Sequence, residues 1–206
     1  MRKKSRKWSG FILMVAVFTL LAGMSASAKT HKETKGVPYY SWQKEYPVYS
    51  GPASGISKVK SSNKKVASVA KRKGASGVDV YLKVRKPGTT NLSYKVKKNG
   101  KTVSYKIKLN FYKNPFKTLK IGKANYKSQF NGGDYSTLMQ GKGKVNIKLK
   151  KGWKVKSIKV QEGGSGWSKL KKGEQVDIEN RHSLRITLKN AKYRYTADFW
   201  IWGGGF

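Results

Sequence analysis

Residues 92–109 alternate apolar and polar side chains on both sides of one Asn-Gly pair. Leu92, Tyr94 and Val96 precede Asn99-Gly100, and Val103, Tyr105, Ile107 and Leu109 follow it. A period of two puts one face of a β-strand in a core and the other in water. Asn-Gly accepts the positive φ angles of a type I′ turn, so the two runs fold back as a hairpin. A two-residue turn sets the register. Lys98 faces Lys101, Val96 faces Val103, Tyr94 faces Tyr105 and Leu92 faces Ile107. On the other face Lys97 meets Thr102, Lys95 meets Ser104 and Ser93 meets Lys106. Away from the turn no lysine opposes another, as the destabilisation of like charges across a ladder requires. Apolar pattern and charge spacing agree on one register.

The N-terminus reads as an export leader. Arg2, Lys3, Lys4, Arg6 and Lys7 form a positive segment, and Phe11 to Leu21 is apolar but short for a bilayer span. Ala26-Ser27-Ala28 is an A-x-A cleavage signal, so residues 1–28 are expected to be removed. No later stretch is apolar for long enough to span a membrane. The chain has no cysteine, so it has no disulfide framework, thiol chemistry or cysteine–zinc site. An exported chain of this kind points to a bacterial source.

The formal net charge is +37, and +32 remains once the five basic residues of the leader are set aside. The charge is spread over both halves of the chain. Such a chain repels itself and is drawn to polyanions. Lysine far outnumbers arginine, so a partner is met by point charges more than by bidentate forks. Two readings stand: a specific anionic partner, or a basic skin that keeps strands soluble and apart.

Organisation follows from the turn signals. Residues 29–50 form an extended, partly disordered leader, in which Val37-Pro38-Tyr39-Tyr40 and Tyr46-Pro47-Val48-Tyr49 suit edge strands. Strands are expected near residues 55–60, 65–70, 78–85, 90–97 and 102–111. Tyr112-Lys113-Asn114-Pro115 marks a break, and a linker this short holds two modules end to end. Beyond it Val145, Ile147 and Leu149 alternate with Asn146 and Lys148. The parity change at Lys156-Ser157 predicts a bulge. A last strand runs from Tyr193 to Trp202. Tyr193, Tyr195, Ala197, Phe199 and Ile201 form its core face, and Arg194, Thr196, Asp198, Trp200 and Trp202 its outer face. No amphipathic helix is evident.

Three stretches occur in order: Ser61-Ser62-Asn63-Lys64-Lys65-Val66-Ala67-Ser68-Val69, then Val84-Arg85-Lys86-Pro87-Gly88-Thr89-Thr90-Asn91-Leu92, then Lys101-Thr102-Val103-Ser104-Tyr105-Lys106-Ile107. In them the chain resembles the bacterial immunoglobulin-like group-two family, whose repeats also occur in invasin- and intimin-type adhesins. The resemblance covers roughly residues 55–111 and implies extracellular display, adhesion or spacing, with no chemistry. The strand before Ser61, Ile56-Ser57-Lys58-Val59-Lys60, departs from the family in its thin apolar content. The expected fold is therefore all-β. An immunoglobulin-like β-sandwich (51–112) is followed by a second small β-sandwich-like module (116–206).

Signatures of catalysis are missing. His31 and His182 stand alone, and His182 reads as a turn residue. Glu174, Asp177 and Glu179 are close in sequence, but Asp177 and Glu179 flank Ile178 on one strand face and serve to offset lysines. The Gly132-Gly133 and Gly163-Gly164-Ser165-Gly166 runs match no phosphate loop and read as turns. An intramolecular isopeptide bond needs a buried acid, and Asp79 lies on the face opposite Val78 and Val80. No cofactor or metal is expected. The candidate ligand-binding residues are Trp200, Trp202 and Arg194 on the last strand, with Lys95, Lys97, Lys106 and Lys108 on the hairpin. Sugars and bases stack on tryptophan rings, or such rings pack under a loop or against the first module. Trp153 and Trp167 fit either class. The expected partner is an anionic cell-wall polymer such as teichoic acid, or a sulfated or sialylated host glycan. Non-specific binding to nucleic acid is expected in vitro. A purely structural spacer is the alternative.

Overall fold

The computed structural model describes residues 30–131, 141–163, 165–178 and 182–203. The export leader 1–28, Gly132-Gly133, Asp134, Gly164, Glu179 and Arg181 lie outside them. The described chain is built of strands with two short 3-10 turns.

Seven strands make the first module: β1 (Thr30–Pro38), β2 (Glu45–Gly51), β3 (Ile56–Ser61), β4 (Ala67–Gly74), β5 (Gly77–Val84), β6 (Gly88–Lys98) and β7 (Lys101–Tyr112). They form a four-stranded sheet in the order β1-β7-β6-β3 and a three-stranded sheet in the order β2-β5-β4. This is an immunoglobulin-type sandwich with its first strand carried onto the sheet of the last hairpin. The β6–β7 register is the one that the Asn-Gly turn dictates, from Lys98↔Lys101 through Leu92↔Ile107. Asn99 (φ 50°) and Gly100 (φ 74°) supply the two left-handed positions of the turn.

The segment after the export leader differs from expectation. Residues 30–38 are not disordered: they pair in parallel with β7, Thr30↔Ser104 through Pro38↔Tyr112. The segment carries little apolar content, so its order comes from the ladder of backbone hydrogen bonds and not from a buried face of its own. Proline stands in two of the edge strands, Pro38 at the end of β1 and Pro47 in β2, where the β2–β5 register shifts directly after it.

The core joins Val80, Leu82 and Val84 of β5 to Leu92, Tyr94, Ile107 and Phe111 of the facing sheet. Tyr46 packs on Phe111, and burial raises its phenol to about 12 while the hydroxyl donates to Pro38 O at 2.8 Å. The Ser-Ser-Asn corner is a hydrogen-bonded lock. Buried Thr90 Oγ1 accepts from Asn63 N (3.0 Å) and lies 2.8 Å from Ser61 Oγ. Ser62 Oγ accepts from Asn91 N (2.9 Å), and Ser61 Oγ donates to Ala67 O (2.6 Å). The motif thus ties β3 to the start of β6 and satisfies backbone groups at the turn into β4.

The second module contains β8 (Phe116–Ile121), β9 (Ala124–Asn125), β10 (Lys142–Leu149), β11 (Trp153–Glu162), β12 (Ser168–Lys169), β13 (Gln175–Asp177), β14 (His182–Asn190) and β15 (Thr196–Ile201). Two four-stranded sheets, β13-β10-β8-β9 and β12-β11-β14-β15, enclose a separate core. Phe199 meets Phe116 and Phe130 edge to face there, with Leu184, Ile186 and Leu188 fully buried. The expected bulge is present: the β11–β14 register shifts between Val155 and Ser157, leaving Lys156 as the extra residue. The last strand is shorter than expected. Arg194 has φ 56°, which ends the alternation and confines β15 to Thr196–Ile201.

Candidate functional site

The hairpin register decides where the lysines point. Outward positions of the four-stranded sheet bring together Lys97 with Thr102, Lys95 with Ser104, Lys106 with Ser93, and Lys108 with Asn91. Each rung holds one lysine and one neutral hydrogen-bonding residue. The neighbouring strands add Lys32 beside Lys106 and Lys60 beside Ser93. Six lysines therefore share this face, and no carboxylate does. Glu33 turns the other way on β1, where it meets Lys35 at 3.0 Å and His31 at 3.7 Å. Lys32, Lys60, Lys106 and Lys108 wall an open trough of about 710 Å³ over Asn91 and Ser93, and Glu33 contributes to its rim beside Lys32.

The outer face of the three-stranded sheet is different. There Arg72 reaches both Glu45 and Asp79 at 3.5 Å, and its guanidinium lies 5.0 Å from the Tyr81 ring centre. Asp79 also accepts from Ser50 at 2.7 Å and points outward as the alternation required. In the second module a shorter ladder (Lys144 with Gln175, Lys120 with Asn146, Lys148 with Thr118) ends at Lys142, which pairs with Asp177 at 3.7 Å.

The tryptophans form a second constellation on the outer face of β14 and β15. Trp200 and Trp202 stack with ring centres 5.4 Å apart and 9° between planes. Trp167, from the loop entering the opposite edge strand β12, meets Trp200 edge-on at 5.2 Å. Trp202 is 55% exposed. The cation over Trp200 is Arg185, at 4.8 Å, and not Arg194. Arg194 sits on the β14–β15 turn because its left-handed backbone breaks the strand that would have carried it to the tryptophan face. Arg185 reaches Trp200 across the ladder, as its direct partner. Burial raises the Asp198 carboxyl, but hydrogen bonds from Arg185 and Thr187 and the charges of Arg185 and Lys156 outweigh it and hold the group below its ordinary value.

Trp153 belongs elsewhere, in the junction. It packs edge-on against Tyr112 (5.0 Å) and Tyr195 (5.8 Å). Tyr195 OH donates to Asn110 Oδ1 at 2.7 Å, and its ring lies over Gly36, where a Cβ would stand 2.0 Å from the ring. Thr89 Oγ1 donates to Tyr193 OH at 3.1 Å. That bond, with Lys192 and Lys108 beside the ring, lowers the Tyr193 phenol despite partial burial. Tyr193 is thus a junction residue and not part of the core. The linker is pinned as well: Asn114 Nδ2 donates to Lys127 O (2.7 Å), and Lys150 Nζ donates to Asn114 O (2.8 Å).

His182 opens β14 and does not sit in a turn. Its Nδ1 accepts from Asp177 N at 2.8 Å, and its Nε2 lies 3.8 Å from Glu162. Glu174 closes a local turn by accepting from Lys171 N at 2.7 Å. Among the described residues no three His, Cys, Asp or Glu side chains gather as metal ligands, and no helix is long and apolar enough to cross a membrane.

Sequence reasoning missed Lys32, Lys60, Arg185 and Thr187. The Thr30-Lys32-Thr34 alternation carried a faint signal for the first, since polar residues at period two suit the wet face of an edge strand. No family model matches the chain, and no curated protein matches it. Among solved structures it is similar to the protocadherin PcdhgB3 EC1-4, at 12% identity and a TM-score of 0.29, over 82% of this chain and 47% of that one.

Proposed function

We propose that this chain is an extracellular, non-enzymatic binding protein that holds anionic polymers, wall teichoic acid or a host glycan, in adhesion. The observation that carries the reading is the imbalance between two faces of one sandwich: six lysines without a carboxylate on one, and ion-paired charges on the other. Lysines about 7 Å apart along a strand repel one another by roughly half a kcal/mol per pair in water, and a polyanion relieves that repulsion. The leader with its A-x-A site supports export. The Ser-Ser-Asn lock on Thr90 gives the group-two motif a structural role, which supports placing the first module in that family. Trp202 beside Trp200 offers a stacking face for sugar rings.

The pinned junction favours a second reading, a rigid spacer whose charge only retains it in the wall. Pull-down of residues 29–206 on Gram-positive sacculi, with and without teichoic acid and across a salt series, separates the two. A polymer binder is retained at physiological salt and released when the teichoic acid is removed. A spacer washes off both materials below physiological salt. Trp200→Ala with Trp202→Ala lowers retention of a sugar-selective binder at unchanged melting temperature and leaves a spacer as it was.

A further inference from the structure

We propose that Lys97, Lys95, Lys106 and Lys108 form a ladder that seats a linear phosphodiester polymer along the strands, stopped at the module junction by Tyr193 and Tyr195. This rests on the polyanion reading above and names the class of polymer. The four lysines occupy four successive outward rungs, each opposite a neutral Thr, Ser, Ser or Asn. Rungs on one face are about 7 Å apart, so the array spans about 20 Å. An extended phosphodiester chain with a short polyol between phosphates carries one charge per repeat at a comparable interval. The hydroxyl and amide partners face its remaining oxygens and polyol hydroxyls. Lysine suits the task, because a phosphodiester carries a single diffuse charge and takes a point cation without needing a bidentate fork.

The trough has sides and an end. Lys32 and Lys60 flank the Lys106 rung from the two outer strands. The next rung, Asn110 with Thr89, is occupied from the second module: Tyr195 bonds Asn110, and Tyr193 accepts from Thr89. Lys108 and Lys192 lie 5.5 and 5.3 Å from the Tyr193 ring centre, so a further cation stands where the ladder meets the junction. Away from the turn, a lysine of the β6–β7 ladder meets another lysine only where Lys32 of β1 adjoins Lys106. On the β12-β11-β14 face the main ladder itself sets basic residues opposite each other, Lys154 with Lys189 and Lys159 with Lys169 and Arg185.

The test is binding of oligo(glycerol phosphate) of one to eight repeats to the full mature chain across a salt series, with heparin as the sulfated comparison. Affinity is expected to climb through four repeats and then flatten. The slope of log K against log salt is expected near −3, from about −0.7 for each of the neutralised phosphates. The variant Lys95→Gln, Lys97→Gln, Lys106→Gln, Lys108→Gln should lose about tenfold or more and most of that slope. The variant Lys154→Gln, Lys159→Gln, Lys169→Gln, Lys189→Gln has the same net charge and should keep both. Melting temperatures confirm that each variant is folded. Equal losses in the two variants would overturn the ladder while the polyanion reading survives. Tight heparin binding without phosphodiester binding would overturn the choice of polymer. Failure of the wild type to bind either probe at low salt would sink the polyanion reading itself.

Discussion

The two outer faces of the first sandwich cover one core, yet they differ in chemistry. On the three-stranded sheet Arg72 is shared by Glu45 and Asp79 and lies over Tyr81. On the outer face of the four-stranded sheet the hairpin lysines Lys95, Lys97, Lys106 and Lys108 stand opposite hydroxyl and amide residues across β6 and β7. A basic skin that served solubility alone would have no reason to place its acids so unevenly. Charge that is locally paired contributes little to a distant field, whereas an unpaired row focuses one. The contrast separates charge paired with acids inside the fold from charge set opposite neutral residues.

The contrast can be broken by supplying the missing acids. Ser93→Glu and Ser104→Glu place carboxylates opposite Lys106 and Lys95. Retention on heparin or teichoic acid should fall about tenfold or more, with melting temperature held or raised, because two cations are lost to the polymer and two repulsions are offset. A drop in stability with unchanged retention would contradict the assignment.

Gly100→Ala tests the turn that aligns the rungs. A side chain at φ 74° costs about 1 kcal/mol, read as a lower denaturation midpoint. Polymer affinity should stay within twofold if the register survives.

Smaller still is the comparison of single charges. Arg72→Ala should cost about 0.5 kcal/mol, since its pairs are largely exposed. Lys106→Ala should cost nothing or stabilise slightly at low salt, and added salt should erase that gain. Equal losses at both sites would remove the distinction between the faces.

The smallest effect serves as an outside reference, on the tryptophan face. Asp198 is held below its ordinary value, so its contribution is present above the unfolded value and disappears as pH falls through the folded one. Acidification should lower the melting temperature slightly more in the wild type than in Asp198→Asn, with no change in ladder affinity at neutral pH.

Much of the first module was legible because its signals are local. The wet face of β6 and β7 follows from period two and a two-residue turn, and so do the four rungs. The Lys156 bulge was visible as a parity change. The tryptophan face was only half visible. Trp200 and Trp202 share a strand, but the cation came from the neighbouring strand as Arg185, and the φ of Arg194 broke the run on which it had been placed. Trp153 and Trp167 each follow a glycine in similar contexts, yet one fills the junction and the other joins Trp200.

By itself the sequence determined the hairpin, its register and the lysine on every rung, because alternation and turn chemistry act within a few residues and leave one arrangement that buries the apolar set. Only the tertiary structure decided that residues 30–36, without an apolar side chain among them, open β1 and bring Lys32 to that face. It also decided that Arg72 collects acids from two other strands, and that Tyr193 and Tyr195 close the end of the trough over Gly36. Those contacts join segments far apart in the chain. They depend on which edges remain open once each core has formed, and no local period encodes that.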